Sequence, residues 1–128
     1  MKVQIKYQEG SRFIAQAREH QLTIDQPKEK GGSDSGMNPS EVFLSSLGSC
    51  IAFYARKYCK DTNVDPSGLV VDVESELSQD RPFRFKDVNV KIHLGQDLDN
   101  RRESLIKFVS NCPIHNTITS HPNIKITV

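Results

Sequence analysis

Three cysteines, at positions 50, 59 and 112, are the side chains of this 128-residue chain best suited to chemistry. Cys112 stands in "SNCPIHNT". Pro113 suits the first position of a helix and so places Cys112 at its N-cap. Unpaired backbone N–H groups and the positive helix end stabilise a thiolate there, and the thiolate is the form that attacks or binds metal. His115 follows in the first turn. Taken by themselves, Cys112 and His115 fit a structural pair, a metal site completed by Cys50, a Cys–His hydrolase or thiol redox chemistry. The metal signal is weak, because no second Cys/His pair has zinc spacing. The usual nucleophile contexts of Cys–His hydrolases are absent. An odd cysteine count argues against a disulfide framework. Cys59 reads as a small buried hydrophobe.

Cys50 belongs to the helix that Asn38-Pro39-Ser40-Glu41 opens. Asn38 caps, Pro39 takes the first helical position and Glu41 reaches back as the capping-box acid. The helix runs to about Asp61, where "TNVDPSG" ends it. At about 100° per residue, Phe43, Leu44, Leu47, Ile51, Tyr54 and Tyr58 share one arc, an ordinary core stripe. A second arc carries Glu41, Ser45, Gly48, Ala52, Ala55 and Cys59, nearly all small. Such a stripe admits another backbone closely, from this chain or from a second copy. Gly48 calls for that explanation, since glycine costs up to ~1 kcal/mol inside a helix. Cys50 falls at the edge of the apolar arc near Ser46, Phe43, Phe53 and Tyr54, which predicts an aromatic-lined groove beside it.

The remaining elements follow from periodicity. Residues 1–25 alternate apolar and polar side chains as a three-strand antiparallel meander. "PKEKGGSDSGM" has no periodicity and reads as a mobile connection. "LVVDVESEL" and "FRFKDVNVKIHL" form a hairpin turning near "QDRP". "DLDNRRESLIKFVSN" is an amphipathic helix with Leu98, Leu105, Ile106 and Val109 near one side, Pro113 opens a short helix, and "NIKITV" is a closing strand. The length suits one domain, residues 1–128, with one core. Seventeen Lys and Arg against sixteen Asp and Glu give no electrostatic argument for nucleic acid or an anionic membrane. No apolar stretch approaches the roughly 20 residues of a membrane span. "MKVQIKYQEG" suits a strand and not a signal peptide, so the expected location is the cytoplasm.

"PKEKGGSDSGMNPSEVFLSSLGSC" resembles the segment leading into the reactive cysteine of the OsmC/Ohr family, the osmotically inducible protein C and organic hydroperoxide resistance proteins. "NCPIHNTI" resembles the family's second cysteine motif, and the element order fits over essentially the whole chain. The resemblance implies an α+β fold with antiparallel sheets around a long central helix and a second helix, in an intertwined homodimer. It also implies a thiol peroxidase acting on hydroperoxides, with Cys50 as the peroxidatic and Cys112 as the resolving cysteine. The expected reductant is an external dithiol, a lipoyl group in the Ohr branch, with no cofactor and no metal. Family members of the Ohr type add an arginine from the first hairpin and a glutamate in the first helical turn. Arg12 is the candidate here, Arg18 the second choice, and Glu41 the candidate acid. The Ohr-type acid falls at Ser40, so this chain departs from that pattern, and "CPIH" is closer to a less characterised redox-protein branch. The alternatives are a redox-sensing or small-ligand-binding module of the same fold and a dimerisation domain with inert cysteines.

Overall fold

A computed structural model describes residues 1–128. They form two compact units, Met1–Leu44 and Ser45–Val128. In the first, strands β1 (Gln4–Glu9), β2 (Arg12–Ala17) and β3 (His20–Ile24) pair antiparallel in sequence order. The register sets Ile5 opposite Ala15, Tyr7 opposite Phe13 and Ala15 opposite Leu22. One face is therefore apolar, with the Tyr7 and Phe13 rings edge-on at 5.7 Å.

The Gly- and Ser-rich connection, expected to be mobile, is instead folded around Asp25. This carboxylate is only 1 % exposed. It accepts from Ser11 Oγ at 2.6 Å, Ser35 Oγ at 2.8 Å, and the N–H groups of Gln26, Ser33 and Ser35 at 2.8, 3.1 and 3.2 Å. Those bonds, the Ser11 hydroxyl first, hold Asp25 well below the usual carboxylate range. Composition suggests mobility here because it counts glycines. The two inner ones are needed for space, since a Cβ on Gly32 would lie 1.9 Å from Gln26 O and one on Gly36 2.3 Å from Thr23 O.

Helix α1 (Pro39–Asp61) begins with the expected capping box. The Asn38 N–H donates to Glu41 Oε2 at 2.8 Å and the Glu41 N–H to Asn38 Oδ1 at 3.1 Å. In the second unit the hairpin β4 (Val70–Leu77) and β5 (Phe85–His93) precedes helix α2 (Arg102–Val109), entered through a 3-10 turn, and helix α3 (Pro113–Thr119). Leu47, Ile51, Ala55, Tyr58 and Cys59 form the core with Leu98, Leu105 and Val109, while Ile106 is exposed.

The core takes both stripes of α1, since Gly48, Ala55 and Cys59 are buried alongside Leu47, Ile51 and Tyr58. A Cβ on Gly48 would sit 2.9 Å from Val73 Cγ2. The close neighbour that Gly48 required is thus β4 of the same chain. "NIKITV" differs from expectation: residues 121–128 form no strand, and Ile124, Ile126 and Val128 are exposed. The alternation is present, but a strand needs a ladder partner and this chain supplies none. No helix is long and apolar enough to cross a membrane.

Candidate active site: the Cys50–Cys112 corner

A residue before proline avoids the helical region. Cys112 accordingly adopts φ −65°, ψ 139°, and its break separates α2 from α3. Its backbone N–H still donates to Val109 O at 3.1 Å, which closes the end of α2. Its Sγ accepts from the His115 N–H at 3.3 Å, the N-cap bond expected from "CPIH". Cys50 comes from the middle of α1, half-buried and packed against the core. All three cysteines are free thiols. The Cys50 side chain lies close enough to Cys112 to act on its thiol. The fold therefore brings together the two cysteines that the motifs single out.

The state of Cys112 differs from expectation. The N-cap position predicts a stabilised thiolate, yet Cys112 is 0 % exposed and burial pushes its thiol above the ordinary value. The neighbouring Cys50 thiol adds to the rise, and the His115 N–H only partly opposes it. Desolvation of a whole charge outweighs one or two N–H dipoles at the end of a seven-residue helix. Cys112 is thus kept protonated and neutral. Cys59 is also 0 % exposed and pushed up by burial, and it packs as the small hydrophobe expected.

His115 joins this corner to a cavity of about 330 Å³. Its backbone touches Cys112, its side chain is among the cavity's lining groups, and its Nδ1 is buried without a hydrogen-bond partner. Leu47 and Ile51 of α1, Val90 and Ile92 of β5 and Val109 of α2 line the same space. Ser110 and Thr119 complete a lining that is otherwise mostly aliphatic, and Cys50 takes no part in it. Two rings of α1 gather on α2: Tyr54 and Tyr58 lie 6.0 and 5.6 Å from Phe108. Lys57 Nζ stands 5.5 Å from the centre of the same ring. No three His, Cys, Asp or Glu side chains converge to hold a metal ion, so the Cys50–Cys112–His115 ligand set weighed from sequence is not assembled.

The charged candidates belong to the Met1–Leu44 unit. Arg12 pairs with Glu9 across the β1–β2 turn. Arg18 occupies the β2–β3 turn in a left-handed conformation, φ 54°. Glu41 is engaged in the capping box with Asn38. The unpaired His115 nitrogen is the feature that sequence reasoning did not see. The Cys-Pro-x-His spacing put the backbone of His115 on Cys112, but only the packing around the ring shows what surrounds its nitrogen.

Residues 32–127 match the family model described as OsmC-like protein. The hydroperoxide reductase of Mycoplasma genitalium is 29 % identical over 115 residues, covering 84 % of this chain and 79 % of that protein. Among solved structures, an osmotic stress induced and detoxification response protein from Psychrobacter arcticus aligns with TM-score 0.83 at 22 % identity, over 95 % of this chain and 89 % of that one. An OsmC like protein from Mycoplasma pneumoniae aligns with TM-score 0.78 at 24 % identity, over 94 % and 87 %. Matched over most of its length and built on the same α+β fold, the chain belongs to the OsmC family.

Proposed function

We propose that this protein is a thiol peroxidase that reduces organic hydroperoxides through Cys50 and Cys112. The observation that carries the reading is the closeness of the two free thiols. The name of the Mycoplasma genitalium relative, hydroperoxide reductase, supports the same chemistry. The Cys50 thiolate attacks the peroxide O–O bond, an S–O bond forms, and the alkoxide leaves to take up a proton as the alcohol. Cys50 is then a sulfenic acid, oxidised by two electrons. The Cys112 sulfur displaces the hydroxyl, giving a disulfide and water. An external dithiol, such as a lipoyl group, reduces the disulfide and restores both thiols.

Cys50 is the more accessible of the two sulfurs, and this favours it as the first to react. Arg12 is the proposed cation for its thiolate, a role that requires exchange of the present Glu9 pairing. Glu41 is the proposed acid of the site in addition to its capping role. The working form is a homodimer of single-domain chains. The unpaired alternation of Ile124, Ile126 and Val128 supports it by leaving an apolar edge that a second copy would cover.

The test is consumption of cumene hydroperoxide with reduced lipoamide as electron donor. Wild-type protein should turn over, and Cys50→Ser should lose turnover completely. Stoichiometric oxidation of Cys50 without turnover would favour instead a redox-sensing module, the reading that the small aliphatic cavity also suits.

A further inference from the structure

The thiol chemistry makes no use of the cavity beside His115, since neither Cys50 nor Cys112 lines it. Its volume is about 330 Å³. Apolar cavities of about 150 Å³ hold benzene, so this one has room for roughly a dozen non-hydrogen atoms. The walls are mostly Leu, Ile and Val side chains, and exposure of Ile106 and Ile118 leaves a way in from solvent. The Nδ1 of His115 is buried there with no hydrogen-bond partner. Buried polar atoms are nearly always satisfied, so this one calls for a reason. An aliphatic space with few polar groups is the usual make-up of a small-molecule site.

The lining also selects the chemistry of an occupant. It contains no Lys, Arg, Asp or Glu, so a charged head group would be buried unpaired at high cost. Charged groups lie instead in the adjoining groove of about 670 Å³, which shares Val90, Ile92 and Ile106 and is bordered by Lys91, His93, Asp97 and Arg102. In the smaller cavity Ser110 Oγ donates to Ile106 O at 2.8 Å and Thr119 Oγ1 to His115 O at 3.0 Å. Both hydroxyls therefore have only lone pairs left to offer. The imidazole nitrogen accepts in one tautomer and donates in the other. A hydroxyl group matches all of these, because it donates and accepts, whereas a carboxylate only accepts. We propose that this cavity binds a neutral aliphatic alcohol, its chain along the Leu, Ile and Val walls and its O–H on His115 Nδ1. The site stands apart from the peroxidase reading and holds whether or not the thiols turn over.

The experiment compares three ligands of nearly equal size on the full chain. These are 1-octanol, heptyl methyl ether, which lacks the O–H, and octanoate, which carries a charge. Side-chain nitrogen NMR follows His20, His93, His115 and His121 separately during each titration. With 1-octanol the His115 ring should shift and saturate while the other three stay in place. The ether should bind about tenfold more weakly, the scale of one hydrogen bond. Octanoate should leave His115 unmoved. In His115→Leu the affinity for 1-octanol should also fall about tenfold. Equal affinity for the ether, or tighter binding of octanoate at His115, would overturn the assignment of an alcohol. A shift at His93 in place of His115 would put the ligand in the charged groove and overturn the site. No shift with any of the three, the result expected if water alone or a second copy of the chain fills the cavity, would overturn it as well. The ligand series on the wild type decides the case even where the variant does not fold. Loss of peroxide turnover in Cys50→Ser should leave the binding of 1-octanol unchanged, which separates this site from the thiols.

Discussion

Two buried corners of this molecule handle an ionisable group in opposite ways. Asp25 is saturated: two hydroxyls and three backbone N–H groups converge on its carboxylate, and its charge is favoured. Cys112 and His115 are under-supplied. The thiol has one backbone N–H and a neighbouring thiol, its charge is disfavoured, and the His115 Nδ1 has no partner. A saturated group has nothing left to do but hold its surroundings in place. An unsaturated one is poised to change state, and such positions are where chemistry is expected. The comparison assigns Asp25 to architecture and the Cys112 corner to reaction.

The largest effect should come from the reactive corner. Cys112→Ser should remove catalytic turnover while leaving the first oxidation of Cys50 at its wild-type rate, trapping a sulfenic acid prone to further oxidation. Peptide mapping after peroxide treatment checks this, and a disulfide through Cys59 would show the wrong pair had been assigned. At the saturated corner the expected loss is structural. Asp25→Ala leaves three N–H groups and two hydroxyls without their acceptor, so the Lys28–Lys30 segment should open. Tryptic cleavage there should speed up on the order of tenfold while Cys50 keeps its reactivity toward peroxide. Equal protease resistance in the variant would erase the contrast between the corners.

The third prediction uses the direction of the shifts. The folded pKa of Cys112 lies above its ordinary value of 9.0, as does that of Cys59. Each group therefore contributes stability that is complete below that value and lost as pH rises through the folded pKa. Urea midpoints should fall as pH rises above 9, and more gently in Cys112→Ser and in Cys59→Ala. Asp25 has the opposite sign. Its contribution is present above the ordinary carboxylate value of 3.8 and disappears only as pH falls through its lowered pKa. Acid and alkali should thus open different corners, which amide exchange can map.

The smallest effect concerns Gly48. Alanine there should gain about 1 kcal/mol of helix propensity. Crowding of the stiff Val73 side chain should outweigh that gain and leave a net loss of about 1 kcal/mol. In a Val73→Ala background the same substitution should become stabilising. A double-mutant cycle reads the coupling directly.

Local rules carried much of this fold. The capping box at Asn38 and Glu41, the end of α1 near Asp61, the N-cap at Cys112 and the three hairpins depend on residues three or four apart or on a period of two, and they are legible in the sequence. The motifs around Cys50 and Cys112 were legible for the same reason. What the sequence left open lies between distant segments. That Cys50 meets Cys112, that β4 rather than another chain presses on Gly48, and that the rings of α1 turn toward Phe108 all required the tertiary structure. The protonation states followed the same rule. A helix N-terminus is visible in six letters, but the desolvation that overrides it at Cys112 is set by everything packed around the sulfur. Asp25, an ordinary residue in "LTIDQP", and His115, an ordinary one in "CPIHN", acquired opposite characters because Ser11, Ser33 and Ser35 fold back to donate to the first, whereas the packing leaves the Nδ1 of the second without a partner.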